Sequence, residues 1–229
     1  MKYPDDFINK IICGDCLEVM KELPDKSVDL VVTDPPYFLP TQSYVGTRKN
    51  GYSKRHYGDN SIMKGFFNLV FNELSRVLKD DGTFYVFCDA QSYPIFFEVM
   101  YPYCNHVRLI IWDKQVSFNG YTWRHQHELI AWGELSNSKR MPTGDGDIIK
   151  LRGVLQKDRN HPAEKPIDLI KKLINKHPDY LTILDPFIGS GTTAIACKEL
   201  GRRYIGIEIS PEYCEIARNR VRTIPELLF

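Results

Sequence analysis

The sequence predicts an α/β domain built on a mostly parallel sheet covered on both faces, and three observations predict it. Continuous apolar, β-rich runs of four to eight residues read as buried strands, segments of helical periodicity alternate with them, and two of the runs end directly in a Pro- or Gly-containing turn. In sheets of this kind ligands bind beyond the carboxyl ends of the strands, so the chemistry is to be sought in the residues just after the strands end.

The elements follow in order. Ile11-Ile12-Cys13 reads as a short strand, Gly14-Asp15 as a turn, and Cys16-Leu17-Glu18 as a helix start. Val28–Thr33 (VDLVVT) is the first clear buried strand. Phe67, Val70, Phe71, Leu74, Val77 and Leu78 keep the i, i+3, i+4 spacing of a helix over Phe67–Leu78, whose run ends at Gly82. Thr83–Cys88 and Val107–Trp112 are further strands. Lys165–His177 is a helix that opens near Pro166 and carries Ile167, Ile170 and Ile174 on one stripe. Thr182–Leu184 and Arg203–Ile207 are strands, and a last helix begins with Ser210 as N-cap and Pro211 at its first position. Two polar stretches, Phe38–Asn60 and Leu135–Pro162, are long for plain connections and read as functional loops.

Composition sets the outer limits. A chain of 229 residues with 43% hydrophobic and 26% charged residues suits one globular domain. It has no apolar window of membrane-spanning length, and its start, MKYPDDFINKII, is no secretion signal, so a cytoplasmic location is expected. The six cysteines read as free thiols. Cys13 and Cys16 form a CxxC, but no second pair completes a zinc set, so no metal is expected. A net charge of +1 means that any nucleic-acid contact has to come from local basic patches.

Three motifs carry chemistry. Asp34-Pro35-Pro36-Tyr37 directly follows VDLVVT. An amino group on a nucleobase is a poor nucleophile because its lone pair is delocalised into the ring. Two acceptors aimed at its N–H bonds favour a tetrahedral nitrogen. The Asp34 carboxylate is one such acceptor, and the carbonyl of Pro35, which carries no competing N–H, is the other. Pro36 stiffens the turn, and Tyr37 offers a flat face for a base. Next, Asp185-Pro186-Phe187-Ile188-Gly189-Ser190-Gly191-Thr192 joins a strand to a helix, with glycines where a ligand can approach the backbone. It is neither GxGxxG nor a phosphate loop, which suits S-adenosylmethionine, a cofactor without phosphates, better than a dinucleotide. Asp185 is a candidate acceptor for a ligand ammonium or a bound water. Glu208 ends the following strand, 23 residues after Asp185, where an acid grips a ribose diol. Asp15 is placed either to take an adenine amino group or to cap a helix, and the two roles are compatible.

Taken together, GDCLE, SVDLVVTDPPY, HPAEKP and LDPFIGSGTT…GIEIS resemble the amino-methylating DNA methyltransferases of the beta class over almost the whole chain. The resemblance implies a Rossmann-like, seven-stranded, mostly parallel sheet of the S-adenosylmethionine-dependent methyltransferase fold. Its motif order would be circularly permuted, with the strands after Thr182 lying beside the N-terminal ones and small inserted DNA-recognition loops. It divides a single domain into a catalytic half (1–134), a recognition region (135–162) and a cofactor half (163–229). It assigns catalysis to Asp34, Pro35, Pro36 and Tyr37. Cofactor contacts are expected at Asp15, Cys16, Lys165, Pro166, Asp185, Pro186, Phe187, Gly189, Ser190, Gly191, Thr192, Glu208 and Ile209. The stretch WDK…YTWRHQHELI at Trp112–Ile130 is also family-like, with Arg124 and His127 as residues without an assigned role.

The implied reaction is methyl transfer from S-adenosylmethionine to the N6 amino group of adenine in double-stranded DNA. In this family DPPY goes mostly with adenine and SPPY with cytosine, and NPPY is usual in glutamine methylation. The alternatives are N4-cytosine methylation, an RNA or protein substrate, and a non-catalytic DNA-binding regulator. DNA contacts are expected from Tyr44, Arg48, Lys49, Lys54 and Arg55 in the first loop and from Lys139, Arg140 and Arg152 in the second. The shortness of the recognition stretch points to a homodimer, and a cognate restriction endonuclease is a candidate partner.

Overall fold

The computed structural model describes residues 1–37, 60–115, 123–137, 144–153 and 165–225. Along the chain run β1 (Lys10–Cys13), α1 (Cys16–Lys21), β2 (Val28–Thr33), α2 (Asn60–Val77), β3 (Leu78–Cys88), α3 (Tyr93–Met100) and β4 (His106–Asp113). They are followed by β5 (His127–Glu134), β6 (Ile148–Lys150), α4 (Ile167–Asn175), β7 (Thr182–Asp185), α5 (Thr192–Glu199), β8 (Arg203–Glu208) and α6 (Pro211–Arg222).

One sheet holds all eight strands in the order β1-β8-β7-β2-β3-β5-β4-β6. From β1 to β3 every pairing is parallel, β5 is antiparallel to both β3 and β4, and β6 runs parallel to β4. The strands after Thr182 do lie beside the N-terminal ones, since β8 and β7 sit between β1 and β2. The expected count of seven strands is corrected to eight. The additional strand is β6, whose three residues pair with Ile111–Asp113 at the sheet edge. It lies inside the polar stretch read as a loop, and only Ile149 is buried, so no period of two could reveal it.

The continuous apolar runs have a simple cause. Past a register shift between Val28 and Leu30, alternate residues of β2 serve opposite faces, Val31 joining Val28 in one core and Leu30 and Val32 entering the other. In β3, Phe84, Val86 and Cys88 likewise enter the first core, and Tyr85 and Phe87 the second. Helices α1, α2 and α3 supply Met20, Phe67, Phe71 and Phe96 to the first core, and α4, α5 and α6 supply Leu169, Ile170, Ile195 and Ala217 to the second. A strand covered on both faces has no polar side, which is the signature of a parallel sheet inside an α/β domain. The helix expected at Phe67–Leu78 starts earlier, at Asn60, and passes directly into β3, because Leu78 already pairs with Val28. Pro166 caps α4 rather than opening it.

One polar side chain interrupts the apolar β2 run. Asp29 is buried and accepts from Thr182 N at 2.8 Å, Leu181 N at 3.2 Å and Lys79 Nζ at 2.6 Å. It thereby ties the start of β7 to β2 across 153 positions of sequence. Replacing Asp29 with Ala strands two backbone donors and the Lys79 ammonium, and a loss of about 3 kcal/mol is expected in denaturant unfolding, with the slope of the transition unchanged.

Candidate active site

The carboxyl ends of β1, β2, β7 and β8 carry Cys13, Thr33, Asp185 and Glu208, and the motif residues follow from there. After Thr33 the chain turns through Asp34, buried Pro35, exposed Pro36 and half-buried Tyr37. Both oxygens of Asp34 are engaged. Oδ1 accepts from the Tyr37 hydroxyl at 2.9 Å, and Oδ2 accepts from Lys165 Nζ at 2.5 Å. The Lys165 ammonium also lies 3.3 Å from Glu128 Oε2, while Glu128 Oε1 accepts from Lys114 Nζ. The ring centroids of Phe87 and Tyr37 stand 5.1 and 6.0 Å from the same ammonium.

The result is a chain of alternating charges, Asp34–Lys165–Glu128–Lys114. Lys165 is almost enclosed, with its side chain 8% exposed. Burial pulls its pKa down, but Asp34 and Glu128 outweigh burial and hold it above the ordinary lysine value. At Glu128 burial pushes upward, and the ammoniums of Lys165 and Lys114 prevail, so its carboxyl is held below the ordinary value. Burial and the Asp34 charge push the Tyr37 hydroxyl well above the usual tyrosine range, which keeps it a proton donor.

The second turn sits beside the first. Asp185 is buried; its Oδ1 accepts from Thr33 Oγ1 at 2.7 Å and from Phe187 N at 3.1 Å, and its Oδ2 from Thr193 Oγ1 at 2.7 Å. The carboxylate therefore faces the protein and joins the end of β2 to the turn and to the first turn of α5. Pro186 is buried and Phe187 packs edge-on against Phe67. Gly189 has φ +53°, and a Cβ there would meet nothing nearer than Phe187 O at 4.0 Å, so its outer side is open. Gly191 has φ +90°, and a Cβ would press to 3.0 Å from that of Ala217, so the turn is also closely packed behind.

Glu208 is half-buried and receives Gly189 N on Oε2 at 3.1 Å and Ser210 N on Oε1 at 2.8 Å. Its backbone carbonyl accepts from Gly14 N at 2.9 Å, which brings Asp15 to the same edge. Asp15 caps α1 through Oδ1, accepting from Leu17 N at 2.8 Å and Glu18 N at 3.3 Å. A cavity of about 70 Å³ joins the two turns, lined among others by Thr33, Asp34, Phe87, Lys165, Ser190 and Thr192.

The residues expected at the site divide accordingly. Asp34, Lys165, Asp185, Phe187, Gly189, Ser190 and Thr192 line the cavity. Asp15 and Cys16 cap and begin α1 just after β1, Gly191 caps α5, Glu208 ends β8, Pro166 caps α4, and Ile209 is exposed after β8. Burial raises the Cys16 thiol to about 12, so it stays protonated, and among the described residues no cluster of His, Cys, Asp and Glu is shaped to hold a metal ion. Tyr44, Arg48, Lys49, Lys54, Arg55, Lys139 and Arg140 lie outside the described residues. Arg152 is exposed just after β6, and Arg124 and His127 are exposed at the start of β5, none of them lining the cavity.

Sequence reasoning missed Glu128 and Lys114. Glu128 lies within the quoted HQHELI stretch, but its pairing opposite Trp112 in the β4–β5 register is what brings Lys114 to it. A carboxylate heading an apolar strand was the available signal.

The Asp185 environment has a consequence for pH. Burial pushes its carboxyl up to about 7, against the hydrogen bonds from Thr193, Thr33 and the Phe187 amide. Its unfolded value is near 3.8, so between about pH 4 and 7 the folded chain binds the extra proton and stability falls as pH rises, by at most about 1.4 kcal/mol per pH unit from this group. Asp185→Asn removes that slope. The melting temperature of the wild type, measured relative to this variant, is expected to decline from pH 4.5 to 7.5 and to level off above pH 8.

A family profile described as DNA methylase, of the N6/N4 type, matches residues 28–219. The type II methyltransferase M.HinfI of Haemophilus influenzae is 30% identical over 256 aligned positions, which cover 96% of this chain and 70% of that protein. Among solved structures, the complex of M1.HpyAVI with SAM superposes with a TM-score of 0.65 at 23% identity, covering 92% of this chain and 98% of that one. The PvuII DNA methyltransferase, described as cytosine-N4-specific, superposes with a TM-score of 0.72 at 17% identity, covering 98% and 91%.

Proposed function

The chain belongs to the N6/N4 DNA methylase family, and from that premise we propose that it methylates the N6 amino group of adenine in double-stranded DNA, using S-adenosyl-L-methionine. The observation that carries the proposal is the cavity in which Asp34 and the glycine turn meet. An acceptor for an amino group and a phosphate-free nucleoside loop face one space.

The residues present fit the cofactor. Glu208 puts a carboxylate beside Gly189, where the open side of the glycine leaves room for a ribose, and Asp15 stands on the neighbouring strand end. Lys165 and the backbone of the 185–192 turn border the amino-acid end of such a ligand. When bound, S-adenosyl-L-methionine supplies an electrophilic methyl group. All other work falls to the chain. Tyr37, its hydroxyl tied to Asp34, presents a ring on which an extruded base stacks for about 1–3 kcal/mol. A carboxylate has about four lone-pair sites, so Asp34 retains capacity for an amino N–H beyond Tyr37 and Lys165. The Pro35 carbonyl is the second acceptor. The Lys165–Glu128–Lys114 chain orients Asp34 from behind, so the acceptor is in place before the base enters.

The order of parts supports the beta-class, circularly permuted reading, with a catalytic half at 1–134, a recognition region at 135–162 and a cofactor half at 163–229. The basic and aromatic residues at 38–60 and 135–162 are assigned to DNA phosphates and to the displaced base. Adenine is favoured over cytosine because Asp34 opens the tetrapeptide. The relatives' type II character makes a cognate endonuclease a natural partner, and the shortness of the recognition region favours a homodimer.

Transfer of tritiated methyl from S-adenosyl-L-methionine to unmethylated duplex DNA, followed by nucleoside analysis, tests the reading. Label is expected in N6-methyladenine; label in N4-methylcytosine overturns the base assignment. Asp34→Ala should lower the transfer rate at least about 100-fold while leaving calorimetric cofactor binding within about threefold. Transfer at the wild-type rate by that variant would sink the role given to Asp34.

A further inference from the structure

A second cleft among the described residues lies away from the methyl-transfer site. It encloses about 660 Å³ and is lined by Lys10, Lys198, Arg202, Arg203, Arg218 and Arg222, with no aspartate or glutamate among the described residues of its walls. Lys10 and Arg203 open β1 and β8, whereas the active site follows the ends of those strands. With six residues in β8, the two sites are separated by a strand length of about 20 Å.

Among the described residues the charge in this cleft is of one sign, and no ion pair compensates it. The whole chain carries 30 basic and 29 acidic residues, so six cations without one acid is a strong local departure. The partners these cations do have are neutral. Arg218 donates to Ile11 O at 3.1 and 2.6 Å, Lys198 to Val221 O at 3.2 Å, and Arg222 to Asn219 Oδ1 at 3.4 Å. Helix C-termini attract cations, which accounts for Lys198 at the end of α5 and Arg222 at the end of α6. It does not account for Lys10, Arg202 and Arg203, which sit on strand starts and a connection. Six converging like charges repel one another, and a polyanion in the cleft relieves that repulsion.

We propose that this cleft is a second nucleic-acid site, which holds the phosphodiester backbone of a DNA segment other than the one being methylated. The step from polyanion to DNA rests on the reading that duplex DNA is the substrate. The volume is large for one phosphate and falls within the range of roughly 300–1,000 Å³ of ligand pockets, so several phosphates in a row fit it better than one. Arg202, Arg203 and Arg222 suit phosphate oxygens through their paired donors. A duplex has a persistence length of about 150 base pairs, so the segment at the active site cannot curl about 20 Å round to the opposite edge. The second segment is therefore distinct, and its binding is charge-driven and indifferent to sequence.

The test uses the full chain and the variant Lys10→Glu/Arg203→Glu/Arg222→Glu, three exposed positions outside the catalytic and cofactor groups. Arg218 and Lys198 are left in place because they hold backbone carbonyls. Binding of a short labelled duplex is measured without cofactor over a range of salt concentrations. Two duplexes per wild-type chain and one per variant chain are expected, the site that disappears being the more salt-sensitive at about one unit of log–log slope per phosphate. Methyl transfer to the same duplex at saturation should stay within about twofold. Equal stoichiometry and salt slope in the two proteins would overturn the proposal. If the triple reversal fails to fold, Lys10→Gln/Arg203→Gln/Arg222→Gln should still lower the second affinity, and no change there overturns it equally. Sodium tripolyphosphate displacing the second duplex at lower phosphate concentration than mixed-sequence DNA would overturn the DNA assignment in favour of a free oligophosphate. Equal competition by poly-glutamate would overturn it in favour of an acidic protein. Because duplex is counted without cofactor, failure of methyl transfer and failure of the second site give separate readings.

Discussion

Two hydroxyls, one from the last residue of β2 and one from the first turn of α5, donate into the buried carboxylate of Asp185 at 2.7 Å each. The rest of the site depends on that arrangement. Thr33 immediately precedes Asp34, and Asp185 opens the turn that carries Gly189 and Gly191, so this hydrogen-bond knot sets the distance between the two motif turns. Burial works against it, since an enclosed carboxylate is hard to ionise, and three donors offset only part of that effect. A buried, fully satisfied polar group of this kind favours one geometry over its neighbours, which is what a site joined across 152 positions of sequence requires.

The charge chain that ends on Asp34 follows the same logic at a larger scale. Burying a lone ammonium or carboxylate costs several kcal/mol. Here Lys165 and Glu128 are enclosed together, each held charged by partners on both sides. The series starts on the β4–β5 pair, passes through Lys165 just before the cap of α4 and ends on the turn after β2. Residues far apart in the sequence, Lys114 and Glu128 in its middle and Lys165 later on, therefore converge on one carboxylate. The antiparallel β5, inserted between β3 and β4, is what brings Glu128 within reach.

The sheet also separates functions by polarity. Strand C-termini present carboxylates and glycine turns, and the opposite ends of β1 and β8 border a cleft whose described walls carry cations and no carboxylate. Parallel strands make this separation natural, because all their C-terminal ends share one edge and all their N-terminal ends the other. Near-neutral net charge thus conceals two edges of unlike character.

By itself the sequence determined the elements that have local signatures. The runs VDLVVT and TFYVFC are mostly apolar because both faces of their strands are covered, and the helical stripe from Phe67 to Leu78 is buried residue by residue. The motif turns at Asp34, Asp185 and Glu208 were legible because each follows such a run directly. Only the tertiary structure decided what these groups touch. It turned Asp185 inward onto Thr33 and Thr193, tied Tyr37 to Asp34, made a strand of Ile148–Lys150, and assembled Lys165, Glu128 and Lys114 into one charge chain. The physical reason is range. Periodicity and turn chemistry act over a few residues, whereas ion pairs and ladder bonds join positions brought together only by strand order and register.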